Sequence, residues 1–274
     1  MTFRRNAITG DRVLFAPERA ERPHAFVDSK DDARCPFCPG HERDTPPELL
    51  RVGDPWRVRV VPNKYPPVEG AEVIIESPDH NAGFHDVTEN VVDVYAERLR
   101  AHRDARYVAL FKNEGARAGS SIAHVHSQLV PLPFVPPRVE RELAGFAREC
   151  PLCAAPENVI EETSAFTWFA PHAPAMPYQQ WIVPKRHIGS LLETTDDERA
   201  QLDALLRAAS ATTRAIGDAY NWMFMNTPHF YVELFPRLTT LGGLELGTGT
   251  FVEIIDPAAA AARLRNSSYD TLPK

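Results

Sequence analysis

Alternating apolar and polar positions mark residues 57–61 and 71–75 as strands, joined by a proline-rich connection, and residues 106–111 as a further strand. Between them, residues 88–102 carry helical spacing, with Val91, Val92, Tyr95 and Leu99 available for one face. After a connection containing Gly115 and Gly119, another strand is expected at the motif His124-Val125-His126. Residues 195–220 read as a second, long, alanine-rich helix. Asp196, Asp197 and Glu198 lie near its start, where negative charge favours the exposed amides. Residues 140–149 read as a short connecting helix, entered through a crossover that begins at Pro131 to Pro137.

The second half repeats the first. Cys35-Pro-Phe-Cys38 recurs as Cys150-Pro-Leu-Cys153, and the segment from Val73 to His80 recurs as Gln180 to His187. His124-Val125-His126 recurs as His229-Phe230-Tyr231, each with a proline five residues beyond, at Pro131 and Pro236. Nothing matches the alternation of parallel strands and helices, and no Gly-x-Gly-x-x-Gly or Walker sequence is present. The expected fold is therefore α+β, with two similar lobes, residues 1–137 and 138–274, each of antiparallel sheet and flanking helices.

Composition narrows the function. A chain of 274 residues with 43% apolar content can bury a sizeable core. Thirty basic against 37 acidic side chains give a net charge of -7, with no Lys/Arg run to track a nucleic-acid backbone. No signal-like apolar region follows Met1, and no segment reaches the length of a membrane span, so a cytoplasmic protein binding neither nucleic acid nor membrane is expected.

All four cysteines fall in close pairs, which suits metal binding or redox exchange better than a disulfide framework. Histidines at matching distances favour the metal. Cys35, Cys38, His80 and His124 supply two thiolates and two imidazoles for structural zinc, and Cys150, Cys153, His187 and His229 supply the second set.

With His124 engaged by zinc, His126 is the histidine presented to substrate, as a nucleophile toward phosphorus. If both histidines lie on one strand, their rings share a face. The counterpart of His126 is Tyr231, whose phenol, with an ordinary pKa near ~10, is the poorer nucleophile at neutral pH. Gln128 would share the face of His126, and its amide could donate to a phosphate oxygen; Asn113, Ser120 and Ser121 could add donors without fixed charge.

These motifs together resemble the galactose-1-phosphate uridylyltransferase family of the histidine-triad superfamily. The resemblance runs through Cys35-Pro-Phe-Cys38, Val61-Pro-Asn-Lys-Tyr-Pro66, Ser77-Pro-Asp-His80, Phe111-Lys-Asn-Glu-Gly115 and His124-Val-His126-Ser-Gln128. In the second half it runs through Trp181 to His187 and Pro236 to Gly249. It implies that His126 accepts a nucleotidyl group from an NDP-sugar, releasing a sugar 1-phosphate, and passes it to a second sugar 1-phosphate. UMP exchange between UDP-glucose and galactose 1-phosphate is the leading expectation; the alternatives are an NDP-sugar phosphorylase, such as one acting on ADP-glucose, and a specialised nucleotidyltransferase acting on another phosphorylated sugar. The resemblance further implies phosphate contacts from Gln128, Ser121 and Asn113, nucleoside contact from Asn63, sugar contact from Glu245, and a homodimer in which the second-half loop completes the partner's site. The chain departs from the family's usual pattern in having Val125 where a proline is usual and Tyr231 where a second-half histidine is frequent. The second departure argues against an iron-type site there and leaves the second zinc set intact.

Overall fold

In the computed structural model, which describes residues 2–5, 7, 12–15, 35–147 and 149–270, the strands read from alternation are joined edge to edge into one antiparallel sheet. A small hairpin, β1 (Thr2–Arg5) and β2 (Arg12–Phe15), stands apart. The first half contributes β3 (Leu50–Val52), β4 (Val58–Pro62), β5 (Glu72–Ile75), β6 (Tyr107–Glu114) and β7 (His126–Leu132). The second contributes β8 (Asn158–Glu162), β9 (Phe166–Ala170), β10 (Gln180–Pro184), β11 (Tyr220–Met225) and β12 (Tyr231–Pro236).

Their order across the ten-stranded sheet is β3-β4-β5-β7-β6-β11-β12-β10-β9-β8. The second half thus repeats the first in reverse, and the two meet along β6 and β11, where Phe111 pairs with Met223 and Asn113 with Asn221. Close approach at this seam demands glycine after β6. Gly115 has φ +85°, and a Cβ there would stand 2.8 Å from Cβ of Ala219 and 2.9 Å from the carbonyl of Asp218.

One face of the sheet is covered by α1 (Val91–Ala101), α3 (Asp196–Ile216) and α5 (Pro257–Asp270). Inward residues such as Val60, Ile74, Leu110, Leu129, Trp168, Trp222 and Val232 pack there against Val92, Tyr95 and Leu99 of α1 and Leu202, Leu205 and Leu206 of α3. Burial of this apolar surface is the main favourable term in folding. The opposite face carries smaller clusters, two of which lie at the cysteine-bearing turns. One gathers Cys35, Phe37, Cys38, Val61, Val73 and Ile75; the other gathers Val139, Phe169, Val183, Met225 and Tyr231.

Helix boundaries differ from the sequence expectation for identifiable reasons. The first helix begins at Val91, whose N–H donates to the Asp203 carboxylate of α3 at 3.0 Å. The long helix is opened by a reciprocal cap between Thr195 and Glu198 and stops at Gly217, so Tyr220 belongs to β11 and not to the helix. The connecting helix α2 runs Pro137–Phe146, earlier than expected, because proline at the first helical position gives up only an N–H that has no intrahelical partner there. Among the described residues, no helix is long and apolar enough to cross a membrane.

Candidate active site and metal clusters

Both Cys-Pro-x-Cys segments fold into the same tight turn, with the second cysteine's N–H donating to the first one's carbonyl at 3.3 Å in each. In the first half the turn brings Cys35 Sγ and Cys38 Sγ each within 3.6 Å of His124 Nδ1, and Cys38 Sγ within 3.3 Å of His80 Nδ1. In the second, Cys150 Sγ lies 3.3 Å and Cys153 Sγ 3.6 Å from His229 Nδ1, with Cys153 Sγ 3.1 Å from His187 Nδ1.

A tetrahedral zinc with its usual bond lengths would separate sulfur and nitrogen ligands by about 3.6 Å, so both Cys₂His₂ sets fit that ion without rearrangement of the chain. All ligand atoms within each set lie inside 4.8 Å of one another. The ring orientation is held from behind. His124 Nε2 donates to the Ser77 carbonyl at 2.7 Å and His229 Nε2 to the Pro184 carbonyl at 2.7 Å, leaving Nδ1 in each to face the sulfurs. The sets differ in exposure: the first is wholly buried, whereas Cys153 and His187 of the second reach solvent.

The strand of the histidine motif begins at His126, and His124 occupies the bend before it, contrary to the expectation of one strand carrying both. Both rings nonetheless meet Phe37 edge-on, with centroid distances of 6.0 Å for His124 and 5.4 Å for His126. His126 Nδ1 lies 2.8 Å from the His124 carbonyl. A carbonyl can only accept, so Nδ1 carries the ring proton and the neutral imidazole has its lone pair on Nε2.

His126 lines a cavity of about 420 Å³, together with Asn63, Ser121 and Gln128. Apolar walls come from Phe37, Val61, Val73 and Ile122, with Lys64, Tyr65 and Asp44 at its margins. An apolar slot with a few convergent polar groups suits a planar base bearing a phosphorylated tail. Of these, Phe37, Tyr65 and Ile122 escaped the sequence reading, although Phe37 and Tyr65 sit inside motifs already singled out.

Three expected contact residues are not among those lining this cavity within one chain. Asn113 accepts a hydrogen bond from the Asn221 amide at 2.7 Å across the seam. Ser120 is buried and donates to the Ile122 carbonyl at 2.7 Å, shaping the loop ahead of the cavity. Glu245 sits in α4 (Gly243–Thr248), where its carboxylate accepts from the Gly242 N–H at 2.9 Å; it is not among the residues lining the cavity within one chain. Around it, Leu244, Leu246, Phe251, Val252 and Ile254 are exposed.

Beneath His126, on the helix-covered face, lies a buried polar group that the sequence reading missed. Lys112 Nζ donates to the Glu76 carboxylate and, at 3.0 Å, to the His126 carbonyl. Tyr95 and Ser127 hydroxyls also donate to Glu76. A charged residue at an inward position of an alternating strand was the available signal, since Val108, Leu110, Lys112 and Glu114 share the buried side of β6.

No protein-family model matches the chain. Among curated proteins it is 31% identical to ADP-glucose phosphorylase of Arabidopsis thaliana, over 97% of this chain and 93% of the relative. It is 26% identical to galactose-1-phosphate uridylyltransferase of Thermotoga maritima, over 98% and 99% respectively. The crystal structure of the Arabidopsis thaliana ADP-glucose phosphorylase with bound ADP-glucose aligns with a TM-score of 0.77 at 30% identity, covering 96% of this chain and 98% of that one. A uridylyltransferase structure aligns with a TM-score of 0.85 at 26% identity over 100% of both chains. The duplicated sheet, the paired Cys₂His₂ sets and these similarities place the chain in the galactose-1-phosphate uridylyltransferase family of nucleotidyltransferases, to which it is joined by both relatives.

Proposed function

We propose that the protein transfers a nucleotidyl group between an NDP-sugar and a sugar 1-phosphate through a covalent intermediate on His126. The observation that carries this reading is the 2.8 Å contact between His126 Nδ1 and the His124 carbonyl, in a ring that lines the cavity. In the first step the Nε2 lone pair attacks the α-phosphorus. The bond from that phosphorus to the bridging oxygen breaks, and the sugar 1-phosphate leaves with the electron pair. In the second step a phosphate oxygen of the acceptor attacks the same phosphorus and the P–N bond breaks, returning the imidazole with its Nδ1 proton unmoved. Two in-line displacements give overall retention at phosphorus.

Gln128 and Ser121 are assigned to the non-bridging oxygens and Asn63 to the nucleoside, which agrees with their places on the cavity wall. Asn113 and Ser120, expected to donate to phosphate, are assigned instead to holding the loop that presents Ser121. Zinc is proposed for both Cys₂His₂ sets, where it would stabilise the fold and supply no catalytic step. A second copy of the chain is proposed to cover the exposed apolar residues around Glu245 and to receive that carboxylate as a sugar ligand, since so much apolar surface in one segment marks a contact site. Free thiols in four metal-ligand positions suit a reducing compartment, in keeping with a cytoplasmic enzyme.

The leading reaction is UMP exchange between UDP-glucose and galactose 1-phosphate. A second reading, phosphorolysis of ADP-glucose, is favoured by the higher identity to the Arabidopsis thaliana phosphorylase. Incubation with UDP-glucose or ADP-glucose followed by intact-protein mass measurement separates them: a UMP adduct supports the first, an AMP adduct the second. Discharge of the adduct by galactose 1-phosphate or by phosphate then identifies the acceptor. Absence of any adduct under both conditions would overturn the covalent reading.

A further inference from the structure

The two halves of the chain provide an internal control for the buried polar group beneath His126. Gln128 pairs with Phe111 across β7 and β6, and its counterpart Glu233 pairs with Met223 across β12 and β11. Lys112 therefore corresponds to Phe224, and Ser127 to Val232. Ile74 pairs with Ser127, and Ile182 with Val232, so by strand register Glu76 corresponds to Pro184, one place beyond the Val183 that the sequence repeat sets against it. The positions filled by Lys112, Glu76 and Ser127 beside His126 are filled by Phe224, Pro184 and Val232 beside Tyr231.

The same scaffold thus closes its core at these three positions without a single charge. Phe224 and Val232 pair with each other and belong to the main apolar core. A lysine and a glutamate, each fully buried, carry a desolvation cost that such apolar residues avoid. Stability does not explain why only the half bearing the histidine keeps them. Lys112 is directed at the backbone of that residue: its Nζ donates to the His126 carbonyl at 3.0 Å, while Glu76 gathers Lys112, Tyr95 and the adjacent Ser127.

We propose that Lys112 and Glu76, with Ser127, are positioning residues that hold the His126 peptide so that Nδ1 stays on the His124 carbonyl and Nε2 faces the cavity. This rests on the reading of His126 as the nucleophile. None of the three touches the transferred group; the ion pair fixes the strand from the face opposite the cavity, and its charges cancel. Pre-organisation of this kind is exacting, because a misplacement of about 1 Å at a reacting atom can cost on the order of 100-fold in rate.

The test compares wild type with the double variant Lys112→Met/Glu76→Gln, which removes both charges together and leaves an acceptor for Tyr95 and Ser127. Ser127→Val, copying the second half, is a second and milder variant. Three quantities are read: the thermal unfolding midpoint, the single-turnover rate of nucleotidyl adduct formation over a range of UDP-glucose and ADP-glucose concentrations, and the ¹⁵N NMR signature of the His126 ring. The double variant is expected to unfold at the wild-type temperature or above, as is common when a buried pair is replaced by neutral residues. Its maximal rate of adduct formation is expected to fall about 10- to 100-fold, with the half-saturating concentration unchanged. Its ring signals are expected to move from one Nδ1–H tautomer toward an average of two. Ser127→Val should show the same changes at smaller size.

Wild-type rate and wild-type ring signals in a folded double variant would overturn the proposal. So would a double variant that melts well below wild type, which would make the pair a stability element. Failure of the wild-type protein itself to form an adduct would reject the nucleophile reading separately, and the ring spectra would still decide whether Lys112 and Glu76 hold His126.

Discussion

His124 and His229 occupy equivalent positions in the two halves, and each donates its Nε2 proton to a backbone carbonyl 2.7 Å away, Ser77 in one case and Pro184 in the other. The shared geometry fixes the metal-facing nitrogen in both sets, whereas burial separates them: all four ligands of the first are buried, and two of the second are exposed. Elemental analysis is expected to give about two zinc ions per chain, and a competing chelator to remove the second-half ion first. Cys153→Ser should lose about one equivalent with modest loss of stability, and Cys35→Ser should lose one with a much larger drop in the unfolding midpoint. Equal release rates from the two sets would contradict the ranking.

The two members of the pair His126 and Tyr231 should respond oppositely to substitution. His126→Ala is expected to lower adduct formation by on the order of 10⁴-fold or more while leaving zinc content and unfolding unchanged. Tyr231→Phe should retain activity within about twofold, since burial raises the phenol far above its ordinary range and keeps it out of acid–base chemistry at neutral pH. Mass spectrometry of the adduct and steady-state exchange of labelled sugar 1-phosphate check both.

Glu245 tests the proposed assembly. Among the described residues its carboxylate holds the Gly242 N–H alone, so Glu245→Ala should cost at most about 1 kcal/mol of stability. Sugar 1-phosphate exchange is expected to fall by about 10- to 100-fold, the scale of a lost hydrogen bond to substrate. Mixing Glu245→Ala with His126→Ala should restore part of the activity, because mixed dimers carry one intact composite site. Activity unaffected by Glu245→Ala, or no recovery on mixing, would exclude that arrangement.

A buried carboxylate links folding to pH. Burial of Asp203 raises its pKa from the ordinary carboxylate value to about 6, against the opposing pull of Arg207 and the α1 amides. Because the folded-state pKa exceeds the unfolded one, the group's contribution is fully present below about pH 4 and is lost as pH rises through about 6. Asp203→Asn keeps an acceptor for the Val91 N–H and removes the titration. The stability of the variant relative to wild type should therefore rise by about 2–3 kcal/mol between pH 4 and 7, as read from urea unfolding at each pH. A difference that stays flat across this window would refute the assignment.

Much of this architecture was legible in the sequence because the duplication repeats chemically distinctive residues. The cysteine pairs, the histidines and the strand-forming runs around Val60 and Ile74 recur at nearly constant spacing, which gave both ligand sets and the strands that carry them. The short edge strands β3 and β8 were not read, since three to five residues at a sheet edge carry little alternation. The helix α5 was passed over although Pro257 and the following alanines signal it. The inward side of β6 was harder. Lys112 resembles an exposed strand residue until Glu76, 36 positions earlier in the chain, is brought against it. Ser120 is drawn toward the site by proximity along the chain and Asn113 by the family resemblance as well; within one chain the fold engages Asn113 Oδ1 at the seam and Ser120 Oγ in a turn.

The meeting of β6 and β11 at the middle of the sheet makes the ancestral repeat inseparable. Separating the halves would strip the partner from Leu110–Glu114 of a strand that now has neighbours on both sides, baring amides and carbonyls over that stretch. Either fragment would then be driven to pair with another copy of itself through that bared edge. The covalent tie between the repeats thus permits the two inner strands to diverge in sequence while remaining bound to one another.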